Sequence, residues 1–442
     1  MSTIHLSPLD DRYRAITGFL KDYFSEYGLF KYRLKVELKY FVELIKLKLP
    51  ELENLNIFYI SAFFTTLING FNETEYNSIK KIERKINHDV KALEYYIADK
   101  FKVNGLVDHI SFIHFGLTSQ DINNTSISLS LKDFVETHYI NSIEDIIKKI
   151  NNKYNDWNKI VMLGHTHGQP AVPTTLGKEF RVFSYRLELQ LELLKTVDYY
   201  GKFGGASGNL NAHKLAYPNI DWEIFGVKFM QELKLKRSKY TTQIDNYDNL
   251  AVLFDNLRRI NTILIDMCQD IWLYISKDYI KQKLNKDEVG SSTMPHKVNP
   301  INFENAEGNL LLANNFLEFF SRKLPVSRLQ RDLTDSTILR NIGTLFGHIY
   351  VAFDNINKGL GKLDVNKKKI QEELENNYVV ITEGIQTILR KHGHNNAYEL
   401  LKEFSRNGET LTKDNIYTFI DKLDVHCSVK NELKKINIMT YI

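Results

Sequence analysis

The chain has 442 residues, of which 43% are hydrophobic and 25% are charged, and its formal net charge is +4. This balance is typical of a globular protein and excludes a chain that is disordered throughout. The charge is too small to predict a nucleic-acid partner, and no run of about 18 uncharged apolar residues predicts a membrane span. The N-terminal segment lacks the apolar core of a signal peptide, and Cys268 and Cys427 are too few for a disulfide framework, so we expect a cytoplasmic protein.

Proline is scarce, and its positions indicate where long helices can run. The 8 prolines leave residues 51–169 and 326–442 without any. Because proline removes a backbone donor and clashes with the preceding helical turn, these proline-free stretches can hold long helices. The prolines themselves mark loops.

Four segments carry apolar residues at alternating steps of three and four, which is the spacing of a helix with one buried face. They run from Phe180 to Leu194, from Leu250 to Ile275, from Ala306 to Phe320 and from Ile342 to Leu360. Long helices with narrow apolar stripes predict a helical bundle whose stripes form the core.

Two breaks in this pattern indicate domain boundaries. The polar segment from Leu360 to Lys369 separates the bundle from a charged, helical C-terminal part, and a glycine-containing break at 107–111 precedes an apolar segment. We therefore predict an all-α protein with three helical domains. They are an N-terminal domain at 1–110, a central long-helix bundle at 111–362 and a C-terminal domain at 363–442.

The first motif that could carry chemistry combines two segments, IERKINHDVKALEYY and HFGLTSQDINNTS. Arg84, Lys85 and His88 place positive or protonatable groups on about one helical turn. Thr118 and Ser119 supply hydroxyl groups of the kind found at a helix start. Such a set could hold a phosphate, but a charged helix face beside a capped neighbour explains the pattern equally well.

The second motif is GHTHGQPAVPTTLGKE, in which His165 and His167 enter a turn that contains glycine and proline. Residues two apart in an extended stretch face the same way, so this pair could bind a metal as in amidohydrolase barrels. That alternative requires strands and helices to alternate along the chain, and the long apolar stripes argue against it. A purely structural role for one of the two histidines is a further alternative.

The third motif is the segment from Val289 to Asn309, which begins with small residues and in which Pro295 and Pro300 prevent a helix. Its Lys297 and Asn299 can present an ammonium and an amide to one carboxylate. The alternative is an ordinary surface loop.

The fourth motif, SRLQRDLTDSTILRN, places Arg328, Arg331 and Arg340 around a cluster of hydroxyl residues just before a predicted long helix. Arginine forks, hydroxyl groups and a helix N-terminus suit a phosphate monoester. The alternative is a solvated helix cap with incidental arginines.

Together these motifs resemble the adenylosuccinate lyases, a family of the fumarase/aspartase superfamily, in their bacterial long form. The matching blocks, in chain order, are SPLDDRYR, NHDVKALEY, FIHFGLTSQDINN, THGQPAVPTT, KFGGASGNLNAH, YTTQID, GSSTMPHKVNP and QRDLTDSTILRN. The resemblance runs from about residue 7 to the last residues, and the superfamily's signature loop corresponds to residues 289–302. The chain departs from the family at Gln120, where an acidic residue is usual, and at Asp11, where glycine is usual.

The resemblance implies an almost entirely helical fold whose central bundle forms the core of a homotetramer, with each site shared between subunits. It implies the non-hydrolytic β-elimination of fumarate from adenylosuccinate, which gives AMP, in purine nucleotide biosynthesis. The same reaction on the succinylated aminoimidazole carboxamide ribotide (SAICAR) gives AICAR. The implied partners are these small molecules, without a metal, an organic cofactor, a nucleic acid or a membrane.

The resemblance also implies roles for single residues. The family's general base corresponds to Ser291 and its general acid to His167. Lys297 and Asn299 would hold the succinyl carboxylates of the substrate. The nucleotide phosphate end corresponds to Arg12, Tyr13, Arg331, Ser336 and Arg340. The remaining implied substrate-binding residues are Asn87, His88, Asp89, Thr118, Ser119, Gln243, Ser292, Val298, Asn305, Thr337, Ile338 and Leu339.

Two other hypotheses stand beside a purine-pathway lyase. A sibling lyase acting on fumarate, aspartate or argininosuccinate would not need Arg331 and Arg340, because those substrates carry no phosphate. A structural protein on a lyase scaffold, like the lens crystallins related to argininosuccinate lyase, could lose its chemical residues. Ser291 and His167 are both present here, which counts against that second hypothesis.

Overall fold

The computed structural model describes residues 5–283, 294, 297–406 and 411–442, and most of these residues are helical. The α-helices of the described ranges are α1 (Arg14–Thr17), α2 (Lys21–Phe24), α3 (Glu26–Lys46), α4 (Ile57–Asn69), α5 (Glu73–Ile86), α6 (Asp89–Val103), α7 (Ser119–Phe134), α8 (Ile140–Trp157), α9 (Leu176–Lys195), α10 (Asn211–Ala216), α11 (Trp222–Glu232), α12 (Asp248–Ser276), α13 (Ile301–Lys323), α14 (Thr334–Leu339), α15 (Ile342–Lys362), α16 (Lys367–Asn376), α17 (Thr382–Lys391), α18 (Ala397–Ser405), α19 (Lys413–Lys422) and α20 (Cys427–Leu433). The strands are β1 (Val161–Thr166), β2 (Gln169–Thr175), β3 (Tyr200–Lys202), β4 (Lys236–Ser238), β5 (Ile280–Gln282) and β6 (Leu363–Val365).

The predicted all-α class is confirmed. Across the described residues the strands pair only in twos, as an antiparallel β1–β2 hairpin, a parallel β3–β4 pair and an antiparallel β5–β6 pair. A barrel of alternating strands and helices, the alternative raised by His165 and His167, does not fit this architecture. In the same part of the chain, no helix combines the length and the apolar character that a membrane span requires.

The four helices predicted from apolar spacing are confirmed as α9, α12, α13 and α15. Their stripes form the core: Leu253, Leu257 and Leu264 of α12 are fully buried. So are Leu310 and Leu317 of α13. Residues three or four apart lie on one side of a helix, so a stripe of this spacing can be buried along its whole length.

The proline-free stretch at 51–169 is divided into several helices rather than one. Asn72 caps α5 by accepting bonds from two backbone amides, and Asn87 ends α5 in the left-handed conformation with φ of 54°. A π-helical turn at Val135–Tyr139 joins α7 to α8. Asparagine competes for backbone hydrogen bonds and tolerates the left-handed region. The lack of proline therefore permitted a long helix without requiring one.

The chain divides into two compact units. Unit 1 comprises Met1–Ile143, Gln190–Thr262 and Gly308–Asp354, and unit 2 comprises Glu144–Leu189, Ile263–Glu307 and Asn355–Ile442. The three-domain division with boundaries after residues 110 and 362 stays a prediction.

In unit 1, β3 and the start of α7 are joined by a buried ion pair. The side chains of Lys202 and Asp121 are 0% and 1% exposed, and Nζ lies 2.8 Å from Oδ1. The ammonium also donates to the Gly205 carbonyl, and the amides of Gly204 and Gly205 donate to the carboxylate. Burial lowers the pKa of Lys202, and the charge of Asp121 opposes this shift. The pair fixes the glycine-containing segment after β3 to the first turn of α7.

A buried histidine supports the same region of unit 1. His213 is fully buried, its Nε2 lies 3.0 Å from the Tyr40 hydroxyl, and Phe203 and Trp222 enclose its ring. A Cβ at Gly116 would lie 2.7 Å from that nitrogen, so a larger residue cannot replace this glycine without displacing the ring. Burial lowers the pKa of His213 to about 4, and the imidazole is therefore neutral at physiological pH.

Unit 2 contains the β1–β2 hairpin, which α16 contacts along β1. Its second sheet pairs Ile280 of β5 with Val365 of β6, and Tyr279 beside this pair is buried. At the C-terminal end, α17 packs against α18 and α20. The Tyr441 hydroxyl contacts Glu383 of α17, which holds the last residues of the chain on that cluster.

We expect Lys202→Met to lower the free energy of unfolding by about 3–5 kcal/mol, because it leaves the buried Asp121 carboxylate without its counter-charge. Chemical unfolding followed by circular dichroism measures the change. The matched control is Lys236→Met on the paired strand β4, whose ion pair with Asp198 is exposed. We expect no measurable loss in the control. Equal losses in the two variants would contradict the importance of the buried pair.

We expect the free energy of unfolding to fall as the pH decreases from about 6.5 to about 4. The unfolded chain binds a proton at His213 in this range and the folded chain does not, so the stability present above about pH 6.5 is lost on acidification. The shift corresponds to on the order of 3 kcal/mol. We expect His213→Gln to reduce the change in the free energy of unfolding over this pH range. We expect no such reduction for His394→Gln, at a half-exposed position. Parallel profiles for the unmodified protein and His213→Gln would be the contrary result.

Candidate active site

The first turn of α7 presents two hydroxyl groups. Thr118 caps the helix in a capping box, in which its amide donates to Asp121 Oδ2 at 2.8 Å, and Ser119 is the first helical residue. The positive end of the helix dipole favours an anion here. Because Asp121 also binds Lys202, the buried ion pair sets the position of both hydroxyl residues.

The residues Asn87, His88 and Asp89 form the corner between α5 and α6. His88 caps the N-terminus of α6, and its Nδ1 accepts a hydrogen bond from the Lys91 amide at 3.1 Å. Asp89 is the first residue of α6, and its carboxylate accepts a bond from Arg33 Nη2 at 2.7 Å. The left-handed Asn87 allows the chain to turn directly from one helix into the next.

Arg33 is a cation that the sequence motifs did not predict. Its side chain is 4% exposed within α3, and its Nε donates to Asn123 Oδ1 at 2.7 Å. Asp89 also lies 3.8 Å from Nη2 of Arg340. Burial would raise the pKa of Asp89, but the two arginines and a backbone hydrogen bond outweigh it, so this pKa lies below its usual value. The burial of Arg33 and its contact with Asp89 are visible only in the structure.

The segment around α14 carries the arginines and hydroxyl groups of the fourth motif. Arg331 Nη1 donates to Gln243 Oε1 at 3.0 Å. The Nε of Arg331 is buried and has no hydrogen-bond partner among the residues that the structure describes. Ile338 is 8% exposed and packs into the core. Gln120 and Ser336 are 216 residues apart in the chain, yet the Gln120 amide lies 3.5 Å from the Ser336 hydroxyl.

These segments surround one cleft of about 570 Å³ in unit 1. The predicted residues that line it are His88, Asp89, Ser119, Arg331, Ser336, Thr337, Leu339 and Arg340. The lining residues that were not predicted are Tyr23, Phe24, Ser25, Glu26, Leu29, Arg33, Gln120, Asn123, Ile127, Ser130, Leu333 and Ile342. The fold thus brings three of the motif segments to the same cavity.

Other predicted residues of unit 1 are not among the residues that line this cleft. They are Arg12, Tyr13, Asn87, Thr118, Gln243 and Ile338. Arg12 precedes α1, and its guanidinium lies 5.8 Å from the centroid of the Tyr13 ring. Thr118 and Gln243 are connected to the cleft through Ser119 and Arg331.

In unit 2, His167 lies in the turn of the β1–β2 hairpin. His167 and Gly168 have φ values of 54° and 71°, as a two-residue hairpin turn with positive φ requires. His167 is exposed, whereas half-buried His165 lies 3.5 Å from Glu373 on α16. Over the described ranges, no group of three histidine, cysteine or acidic side chains could hold a metal ion. The residues that lead into this turn form the strand β1.

The signature loop is described only in part. Ser291 and Ser292, predicted as base and substrate ligand, lie outside the described residues. Lys297 and Val298 are exposed, and the Val298 carbonyl accepts a bond from Gln282 Nε2 at 3.4 Å. Of the remaining predicted residues, Asn299 directly follows Val298. Asn305 lies in α13, where its Oδ1 accepts from Asn355 Nδ2 at 3.0 Å.

Comparison with known proteins now places the chain among its relatives. Residues 12–313 match the family described as "Lyase", and residues 327–442 match "Adenylosuccinate lyase C-terminal". The fumarate lyase structure from Mesorhizobium sp. BNC1 has a TM-score of 0.75 at 15% identity. That likeness covers 99% of this chain and 96% of that chain, and it shows the fold alone.

Sequence relatives extend over nearly the whole length. Adenylosuccinate lyase of Dictyostelium discoideum is 50% identical across 99% of this chain and 96% of its own length. Adenylosuccinate lyase of Escherichia coli K12 is 44% identical over the same shares. The chain therefore belongs to the adenylosuccinate lyase family.

Proposed function

We propose that this protein releases fumarate from adenylosuccinate to give AMP, and from SAICAR to give AICAR, in purine nucleotide biosynthesis. One observation carries the proposal: the cleft of unit 1 collects Asp89, Ser119, Ser336 and Arg340 from three motif segments that are distant in the chain. Arginines and hydroxyl groups suit a phosphate. Both proposed substrates carry a phosphate, whereas fumarate, aspartate and argininosuccinate do not. The cleft therefore favours a nucleotide lyase over its siblings.

The arginines of the cleft differ in the partners that they already bind. Arg33 is buried and bound to Asp89 at 2.7 Å. Arg340 is 58% exposed and lies 3.8 Å from the same carboxylate, so its guanidinium can turn to a ligand. The buried Nε of Arg331, without a hydrogen-bond partner in the described chain, would gain one from a phosphate oxygen. We assign Arg331 and Arg340 to the phosphate, assisted by Ser336.

The elimination requires a base, an acid and a clamp for the succinyl carboxylates. In the proposed mechanism, the Ser291 oxygen removes a proton from the carbon beside a carboxylate. The electron pair of that C–H bond forms the double bond of fumarate as the C–N bond breaks, and His167 donates a proton to the departing nitrogen. Lys297 and Asn299 bind the carboxylates on which negative charge accumulates. Serine is a poor base unless its alkoxide is stabilised, so this step requires a dehydrated site. No metal or organic cofactor takes part.

We also propose a cytoplasmic homotetramer whose sites are shared between subunits. The exposed face of α9 supports an assembly: Val182, Tyr185, Leu189 and Leu193 are between 38% and 54% exposed and recur at steps of three and four. Contiguous apolar faces of this kind mark protein–protein contacts. The binding partners expected beyond the other subunits are the small-molecule substrates, without a nucleic acid or a membrane.

The test of the function is an ultraviolet assay of the purified protein with adenylosuccinate, in which AMP and fumarate are quantified in the same tube. We expect equal amounts of the two products. Turnover of a substrate without phosphate, such as argininosuccinate, and none of adenylosuccinate would instead identify a sibling lyase. AMP binding by an intact tetramer that turns over neither class would identify a scaffold protein.

Replacing the proposed catalytic residues should greatly slow the elimination while the fold persists. We expect Ser291→Ala and His167→Ala each to lower kcat by about 10²-fold to 10⁴-fold, the usual contribution of a positioned acid or base. Steady-state kinetics, with circular dichroism to confirm folding, measure the effect. His394→Ala serves as the histidine control. Near-normal kcat in either catalytic variant would remove that residue from its proposed role.

Mixing the two inactive variants tests whether the sites are shared. If one subunit supplies Ser291 and another supplies His167, a hybrid tetramer contains some sites with neither substitution. We therefore expect activity to return after Ser291→Ala and His167→Ala are denatured and refolded together, but not after each is refolded alone. Native mass spectrometry verifies that hybrids form. Verified hybrids without activity would exclude shared sites of this kind.

A further inference from the structure

Tyr247, the residue before α12, occupies an unfavourable backbone conformation in the interior of unit 1. Its φ is 61°, in the left-handed region that favours glycine, and its side chain is 2% exposed. A bulky residue is rarely found in this region, and such a conformation persists only where the surrounding contacts determine it. The contacts of the Tyr247 hydroxyl are therefore informative.

The hydroxyl joins two segments that are distant in the sequence. It donates to Asp335 Oδ2 at 2.7 Å and accepts a hydrogen bond from Asn124 Nδ2 at 2.5 Å. Asn124 Oδ1 in turn accepts a bond from the Asp245 amide at 2.8 Å. The Asp245 carboxylate accepts bonds from the Tyr247 amide and the Ser238 hydroxyl. All of these side chains are buried, so water could not readily replace any of these hydrogen bonds if it were removed.

Each partner lies on a segment that also carries a residue assigned to the substrate. Asp335 directly precedes Ser336, and Ser336 lines the cleft. Asp245 is close in the chain to Gln243, which accepts a bond from Arg331. Asn124 lies on α7, whose first turn carries Ser119. One hydroxyl thus connects α14, the loop before α12 and α7.

We propose that Tyr247 is a positioning residue for the nucleotide phosphate, because its hydroxyl holds α14 and the Gln243 loop on α7 and so aligns Ser336 and Arg331. This inference rests on the proposed function. Tyr247 does not line the cleft itself. Its effect is transmitted through the segments that it joins. The substrate contacts the phosphate residues before and during bond breaking, so we expect loss of their alignment to raise KM rather than to lower kcat.

Tyr247→Phe keeps the ring and removes only the hydroxyl. We expect the KM for adenylosuccinate and the Kd for AMP each to rise by about five- to tenfold, as for one lost buried hydrogen bond, with kcat within about twofold. Kinetics and calorimetry with AMP measure these quantities. A merely structural role would lower the fraction of active enzyme, and hence kcat, without changing KM or the Kd for AMP.

The matched control is Tyr139→Phe. Tyr139 is fully buried in unit 1, and its hydroxyl has no hydrogen-bond partner among the described residues. The same chemical change there should leave KM and the Kd for AMP unchanged. Equal effects of the two substitutions, or an unchanged KM and Kd in Tyr247→Phe, would overturn the proposal.

A double-mutant cycle with Ser336→Ala tests the route of the effect. If Tyr247 acts through α14, the two substitutions together should raise the Kd for AMP by clearly less than the product of their separate effects. Multiplicative effects would exclude that route.

The AMP measurements separate this proposal from the proposed function. If the unmodified protein does not turn over adenylosuccinate but Tyr247→Phe raises its Kd for AMP, the proposed function is wrong and the positioning role is supported. If the unmodified protein turns over adenylosuccinate normally and Tyr247→Phe changes neither KM nor the Kd for AMP, the function is supported and the positioning role is wrong. An unmodified protein that neither turns over adenylosuccinate nor binds AMP would contradict both.

Discussion

Inside unit 1, the ammonium of Lys202 touches the carboxylate of Asp121 where neither side chain reaches solvent. A charge that is buried without its partner is strongly destabilising, so the segments that carry the two residues are held together. The position of Ser119 at the start of α7 follows from this contact. Farther along the same helix, Asn123 and Asn124 bind the buried arginine of α3 and the tyrosine that precedes α12. Much of the polar lining of the cleft therefore depends on how this ion pair anchors α7.

The same principle recurs around the cleft, where solvent-facing polar groups are supported by buried ones. Asp89 lines the cavity and is bound by Arg33, whose side chain is almost fully buried. Ser336 follows Asp335, which the hydroxyl of Tyr247 binds. A ligand site needs side chains whose positions are fixed before the ligand arrives, because ordering them during binding costs affinity. Buried hydrogen bonds supply that order here, since water does not compete for them.

The predicted residues are divided between the two units of the chain. Unit 1 carries those assigned to the phosphate end, and unit 2 carries His167 and Lys297. In unit 2 the hairpin turn presents His167 to solvent, while His165 in the adjoining strand contacts Glu373. The two histidines of one His-x-His motif thus occupy different environments, because His167 belongs to a turn and His165 to a strand.

The sequence by itself determined the helical class, the apolar stripes of α9, α12, α13 and α15, and the family. Helical periodicity and short motifs are local properties of the chain, and packing does not have to be known to detect them. Only the tertiary structure decided that Ser119 and Ser336 share a cleft and that Arg33 holds Asp89. It alone placed the hydroxyl of Tyr247 between α7 and α14. Such contacts depend on how each helix is rotated and shifted against its neighbours, and an apolar stripe specifies which face is buried but not which residues it meets.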